Sequence, residues 1–118
     1  MAEFRVVRST LKFDEMVEFY GGKLGLAVHR SWDEGSRGIL FECNGALVEF
    51  LECRPDSPPE YVAGVMISVE TDDAGALHDR LAGEGVAATD PLSEKPWGHL
   101  SFTIRDPDGM PITFFQVL

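Results

Sequence analysis

Apolar and polar positions along this chain follow two periods, and the switches between them outline the elements. Residues 3–9 (Glu-Phe-Arg-Val-Val-Arg-Ser) are β-branched and short, which predicts a strand. From Phe13 the period lengthens. Phe13, Met16, Val17, Tyr20 and Leu24 fall at i, i+3, i+4, i+7 and i+11, the apolar stripe of a helix of about three turns. Asp14 and Glu15 suit its positive end, and Gly21, Gly22 and Gly25 weaken and stop it. Residues 26–32 predict a second strand, with Asp33-Glu34-Gly35-Ser36 as the turn after it. Asn44-Gly45 then separates residues 38–43 from 46–52. Asn-Gly accepts the positive φ angles of a type I′ turn, so these runs form a two-residue hairpin.

Arg54-Pro55-Asp56-Ser57-Pro58-Pro59-Glu60 holds three of the seven prolines and, lacking their backbone donors, reads as a linker. After it the order repeats. Residues 63–70 predict a strand, and Thr71-Asp72-Asp73 cap a helix carrying Ala74, Leu77, Leu81 and Gly85 on one side. Residues 86–90 predict a short strand and 91–96 a loop. Residues 99–105 alternate, with Leu100, Phe102 and Ile104 on one face. Asp106-Pro107-Asp108-Gly109 forms a turn before a last strand over 110–117.

The order is therefore βαβββ twice, module one over 1–56 and module two over 60–118. A period of about 55 residues signals duplication. Gly45 precedes Glu49 by the same four residues that separate Gly109 from Thr113, and Leu24-Gly25-Leu26 mirrors Glu84-Gly85-Val86. Neither half is expected to bury enough apolar surface alone. The fold class expected is α+β, a single domain of two βαβββ modules. Their curved mixed sheets would pair around a cleft, with the helices outside.

The composition fits that picture. Of 118 residues, 44% are hydrophobic and 25% charged, which excludes wholesale disorder. Twenty acidic against ten basic residues give a formal net charge of −10, which argues against nucleic acid and anionic membrane surfaces as partners. No apolar run is long enough to span a bilayer, and the first residues lack a secretory pattern, so a cytoplasmic location is expected. Cys43 and Cys53 form no metal or redox motif and read as free thiols. A nucleophile elbow, a specifiable Cys-His pair and a phosphate-binding glycine loop are all missing.

Phe19-Tyr20 followed by Leu24-Gly25-Leu26, then Pro96-Trp97-Gly98, Asp106-Pro107-Asp108-Gly109 and Phe114-Phe115, together resemble the glyoxalase / bleomycin-resistance / extradiol dioxygenase (vicinal oxygen chelate) superfamily. The resemblance spans essentially the whole chain and is nearest to the bleomycin-resistance group. It implies a two-fold homodimer. Enzymes of the superfamily hold a divalent metal with ligands from the first and fourth strands of each module. Those four positions carry over to Arg5, Glu49, Gly64 and Thr113. Arg5 has no acceptor, Gly64 no side chain, and Thr113 only a poor neutral donor. The expectation is thus no metal and no other cofactor, with Arg5 and Glu49 facing one another across the cleft as an ion pair.

The resemblance also implies aromatic contacts to a flat ligand. Trp97 matches such a position directly and Trp32 approximately, with Phe41 and Phe115 as further walls, although each aromatic serves equally well as core. His99 shares a face with Ser101 and Thr103, whereas His78 reads as a helix-boundary residue and His29 has no clear side. The resulting expectation is metal-independent binding of a small aromatic or cationic molecule by Trp32, Phe41, Glu49, Trp97, His99 and Phe115. Antibiotic sequestration would be one use. The alternatives are a lyase, isomerase or dioxygenase using Glu49 as base or metal ligand, and a ligand-free structural or regulatory module.

Overall fold

The computed structural model describes residues 2–118, which divide into two compact units, the first ending at Val62 and the second running Ala63–Leu118. The first contains β1 (Arg5–Thr10), α1 (Phe13–Val17), β2 (Val28–Asp33), β3 (Arg37–Cys43) and β4 (Ala46–Glu52). The second contains β5 (Ile67–Glu70), α2 (Ala74–Gly83), β6 (Asp90–Lys95), β7 (His99–Arg105) and β8 (Pro111–Val117). Strand orders are β1-β4-β3-β2 and β5-β8-β7-β6. In each unit the first and last strands run parallel and the other pairs antiparallel. The expected α+β repeat is thus present as two open, four-stranded mixed sheets. Among the described residues no helix is long and apolar enough to cross a membrane.

Strand alternation sends half of each sheet's side chains towards the unit's own helix. In the first unit that half is aromatic. Tyr20 lies 4.6 Å from Phe50 and 5.4 Å from Phe19, and Phe41 lies 6.2 Å from Phe50 (ring centroids). The hairpin turn forms as expected, with Asn44 at φ 50° and Gly45 at φ 84° and Cys43 opposite Ala46. The first helix differs from its predicted stripe. After Val17 it widens into π-helical turns over Glu18–Lys23, where Leu24 N–H donates to the Phe19 carbonyl at 2.8 Å. The wider turn brings the consecutive residues Phe19 and Tyr20 both into the core and leaves Leu24 half-buried. Gly21 permits it: a Cβ there would stand 3.1 Å from the Phe41 ring. The helix also closes late, through Leu26 N–H to the Tyr20 carbonyl at 3.0 Å, so β2 begins at Val28 instead of residue 26.

In the second unit, Asp73 caps α2 by accepting from Ala76 N–H at 2.9 Å. Phe102, Ile104 and Ile112 are fully buried beneath that helix and Phe114 nearly so. Two expectations fail here. Gly85 adopts φ 83° and Val86 N–H returns to the Leu81 carbonyl at 2.9 Å, so Val86 belongs to the helix cap and residues 86–89 form no strand. The strand is instead Asp90–Lys95, the segment expected as a loop. Pro91 fits it because β6 is an edge strand whose register slips between Asp90 and Ser93, so a missing donor costs no ladder bond. Likewise residues 63–66 precede β5 and pair with nothing in the ladder. The turn at 106–109 forms as expected, with Gly109 at φ 87° and Asp106 Oδ1 accepting from the Asp108 and Met110 amides at 3.0 Å each.

Candidate functional site

The helix-free face of the first sheet carries most of the charged candidates. Register places Arg30, Leu40, Glu49 and Val7 in one row across it, and Trp32, Gly38, Leu51 and Ser9 in the next. Glu49 is 9% exposed. Arg5 Nη1 donates to Glu49 Oε1 at 3.0 Å, while its Nε and Nη2 reach Glu3 Oε2 at 2.8 and 2.7 Å. The Glu3 and Glu49 hydrogen bonds together raise the Arg5 pKa above its ordinary value. His29 joins this face through Glu42, its Nδ1 lying 3.4 Å from Oε1.

Trp32 lies against Gly38, where a Cβ would clash with the indole ring. Arg30 holds its guanidinium carbon 5.0 Å from the same ring's centroid. Sequence reasoning missed both partners. A glycine inside a strand marks close approach of another group, and that signal at Gly38 was legible. Phe41 is a correction. Opposite Val48 on the helix-facing side and fully buried among Tyr20 and Phe50, it is a core residue and cannot wall a ligand site on the Glu49 face.

A hollow of about 460 Å³ opens beside α1 in the first unit, lined by Phe13, Asp14, Ser31, Trp32, Arg37 and Gly38 among others. Its polar wall is already engaged. Arg37 bonds Glu52 Oε2 and Asp14 Oδ1 at 2.7 Å each and covers the Phe13 ring at 4.7 Å. The Arg37 hydrogen bonds hold the Glu52 carboxyl below its usual range, and Glu52 followed by Asp14 raises the guanidinium. This hollow is not where Glu49 lies.

The second unit's helix-free face is different. Thr113 stands where Glu49 stands in the first unit, and its hydroxyl pairs with that of Thr103 at 2.8 Å. His99 and Phe115 stack at 4.5 Å with their planes 16° apart. Lys95 bonds Ser93 Oγ at 2.6 Å and the Ser101 carbonyl at 3.3 Å, a polar cluster that sequence reasoning also missed. Trp97 sits at the tip of the turn between β6 and β7, 66% exposed, where Gly98 N–H closes on the Lys95 carbonyl at 3.0 Å. His78 rests edge-on against Phe102 at 5.2 Å, at the helix boundary. Gly64 needs correction. It lies outside any strand at φ 81°, and the residue standing to Thr113 as Arg5 stands to Glu49 is Met66, two before Ser68, the partner of Thr113.

The model of the Glyoxalase/Bleomycin resistance protein/Dioxygenase superfamily matches residues 5–114. This chain belongs to that superfamily. Solved structures share its fold. TnmS3, an antibiotic binding protein from Streptomyces sp. CB03234, is 24% identical, covering all of this chain and 97% of its own, with a TM-score of 0.75. TioX from Micromonospora sp. ML1 is 18% identical over the full length of both chains, TM-score 0.80. A lactoylglutathione lyase from Agrobacterium tumefaciens is 17% identical over 98% of this chain and 92% of that one, TM-score 0.73. No curated protein matches the sequence.

The superfamily's enzymatic members imply a metal, and the donors present here do not fit one. A guanidinium has no lone pair to offer a cation, and this one donates to the single suitable carboxylate. Thr113 spends its hydroxyl on Thr103, Gly64 has no donor, and the Met66 thioether is too soft for the hard ions that a carboxylate selects. Among the described residues, no group of three or more His, Cys, Asp or Glu side chains is placed to hold an ion.

Proposed function

We propose that this superfamily member binds a small, flat organic molecule, aromatic or cationic, without a metal, and that sequestering an antibiotic is the simplest use of that binding. The observation that carries the reading is the Arg5–Glu49 pair. Where a metal-holding relative needs two donors, this sheet places a cation against the one carboxylate at those positions. What remains on the helix-free faces is suited to contact and not to chemistry: Trp32 and Glu49 in the first unit, His99 and Phe115 in the second, with Trp97 at a turn tip. The antibiotic-binding description of TnmS3 is consistent with this use, at an identity that speaks only for the fold. A lyase, isomerase or dioxygenase reading would require Glu49 free of Arg5 to act as base or ligand.

We further infer a homodimer in the cytoplasm. The exposed apolar group of Trp97, Val117 and Leu118, gathered at one end of the second unit by the Leu118 amide bond to the Gly98 carbonyl at 2.9 Å, supports burial against another surface. Light scattering at twice the chain mass is the expected result.

Two measurements test the binding reading. Elemental analysis after purification in metal-supplemented medium should find no stoichiometric transition metal, and one ion per chain would overturn it. Titration with bleomycin and a panel of planar aromatics should quench tryptophan fluorescence, less so in Trp97→Ala. Silence across the panel would remove the proposal.

A further inference from the structure

Resting on the binding reading, a narrower statement about the ligand follows from the first unit's helix-free face. Trp32 is not a bare stacking surface there. Its indole lies on the Gly38 backbone, filling the space a Cβ there would need, and the Arg30 guanidinium covers it at 5.0 Å. Arg30 is exposed, and among the described residues its contact is with this ring and with no carboxylate. The other arginines of this sheet's ion pairs are satisfied, Arg5 by Glu3 and Glu49, Arg37 by Glu52 and Asp14. Indole N–H and guanidinium can only donate hydrogen bonds, so these two groups together offer donors and no acceptor.

We infer that Arg30 is the group that reads the ligand, and that the ligand carries an acidic group on a flat ring, a planar aromatic carboxylate or phenolate. The indole holds the guanidinium in place before binding, so less rotamer freedom is lost when it closes on an acid. A guanidinium offers two parallel N–H bonds to a carboxylate and a flat cationic surface to the ring that bears it. A cationic ligand is the poorer match, because Glu49 Oε1 is already engaged by Arg5 and Arg30 stands one row position from Leu40 with its charge uncompensated.

The test titrates the full chain with 2-naphthoate, 2-naphthamide and 2-naphthylmethylammonium at neutral pH, by calorimetry. Naphthoate should bind at least about tenfold more tightly than the amide, as a charge-assisted bond does over a neutral one. Arg30→Gln should erase that preference, and Arg30→Lys should restore part of it. The Arg30 Nε–H resonance of the unsubstituted protein should shift on adding naphthoate and not on adding the amide, a readout independent of any variant's folding. Binding of the probes with no preference for the acid, a preference for the ammonium, or a preference that survives Arg30→Gln overturns the inference and leaves the binding reading standing. Binding of none of the three removes both.

Discussion

The two units share strand order, a parallel first–last strand pair and a glycine four residues ahead of the same mid-strand position, yet their matched positions carry opposed chemistry. Glu49 in the first unit answers to Thr113 in the second, Arg30 to Asp90, Gly38 to Ser101 and Glu52 to Gln116. Glu49 takes an ion pair where Thr113 takes a hydroxyl partner. Arg30 lies on an indole, whereas Asp90 lies 3.5 Å from the Lys95 ammonium. The helix-facing halves diverge less, because both must be apolar to cover a helix. Duplication therefore preserved the backbone and the core, and left the helix-free faces open to change. The second unit carries no charge at the mid-strand position, and the first carries a carboxylate with an arginine on it.

The largest expected effect tests the division between helix-facing and helix-free sides, taken across the two units. Phe41→Ala should cost about 3–5 kcal/mol of stability in urea unfolding, as truncating a fully buried ring does, whereas Phe115→Ala on the second unit's helix-free face should cost clearly less. Equal losses would mean that both faces carry core. Gly38→Ala comes next. The new methyl must displace the Trp32 ring, which should cost about 1–3 kcal/mol and move tryptophan emission, while Ser101→Ala at the matched position should stay within about 1 kcal/mol. Removing the α2 cap by Asp73→Ala should cost about 1 kcal/mol, and α1, which has no side-chain cap, offers nothing comparable to remove.

The smallest effect separates Glu52 from Gln116. Arg37 lowers the folded-state pKa of Glu52, so that carboxylate contributes stability at pH values above the ordinary range, about 4.3, and loses it as pH falls through the folded value. Gln116 makes its bond to the Ala74 amide at 3.1 Å with no titratable group. Urea midpoints measured down into the acid range should fall less steeply in Glu52→Gln than in the unsubstituted chain. The slope should not change in Gln116→Ala. Both side chains are surface features, so the first difference will be small.

The strand content of both units was legible because strongly alternating runs and an Asn-Gly turn admit few other arrangements. The misreadings share a cause. The structure departs from the expected elements at Phe19, at residues 86–90 and at Gly64. In each case a local backbone device, a π-turn, a glycine cap or a register slip, moves the next element by a few residues, and hydrophobic period alone does not register such shifts. Of the site, counting along strands gives Arg5 and Glu49 a shared face and groups His99 with Ser101 and Thr103, but leaves open which side of the sheet His99 takes. Gly38 and Arg30 could not be singled out in this way, because their importance arises only when the strands that carry them lie side by side.

By itself, then, the sequence determined the doubled βαβββ plan, the superfamily, and the chemical misfit of the metal positions, since those depend on residue type and spacing along the chain. Only the tertiary structure decided that Phe41 belongs to the core, that Met66 and not Gly64 completes the second strand pair, and that an arginine covers Trp32. Those facts turn on which side chain meets which across a sheet. Register sets that, and a slip of one residue turns every side chain to the other face.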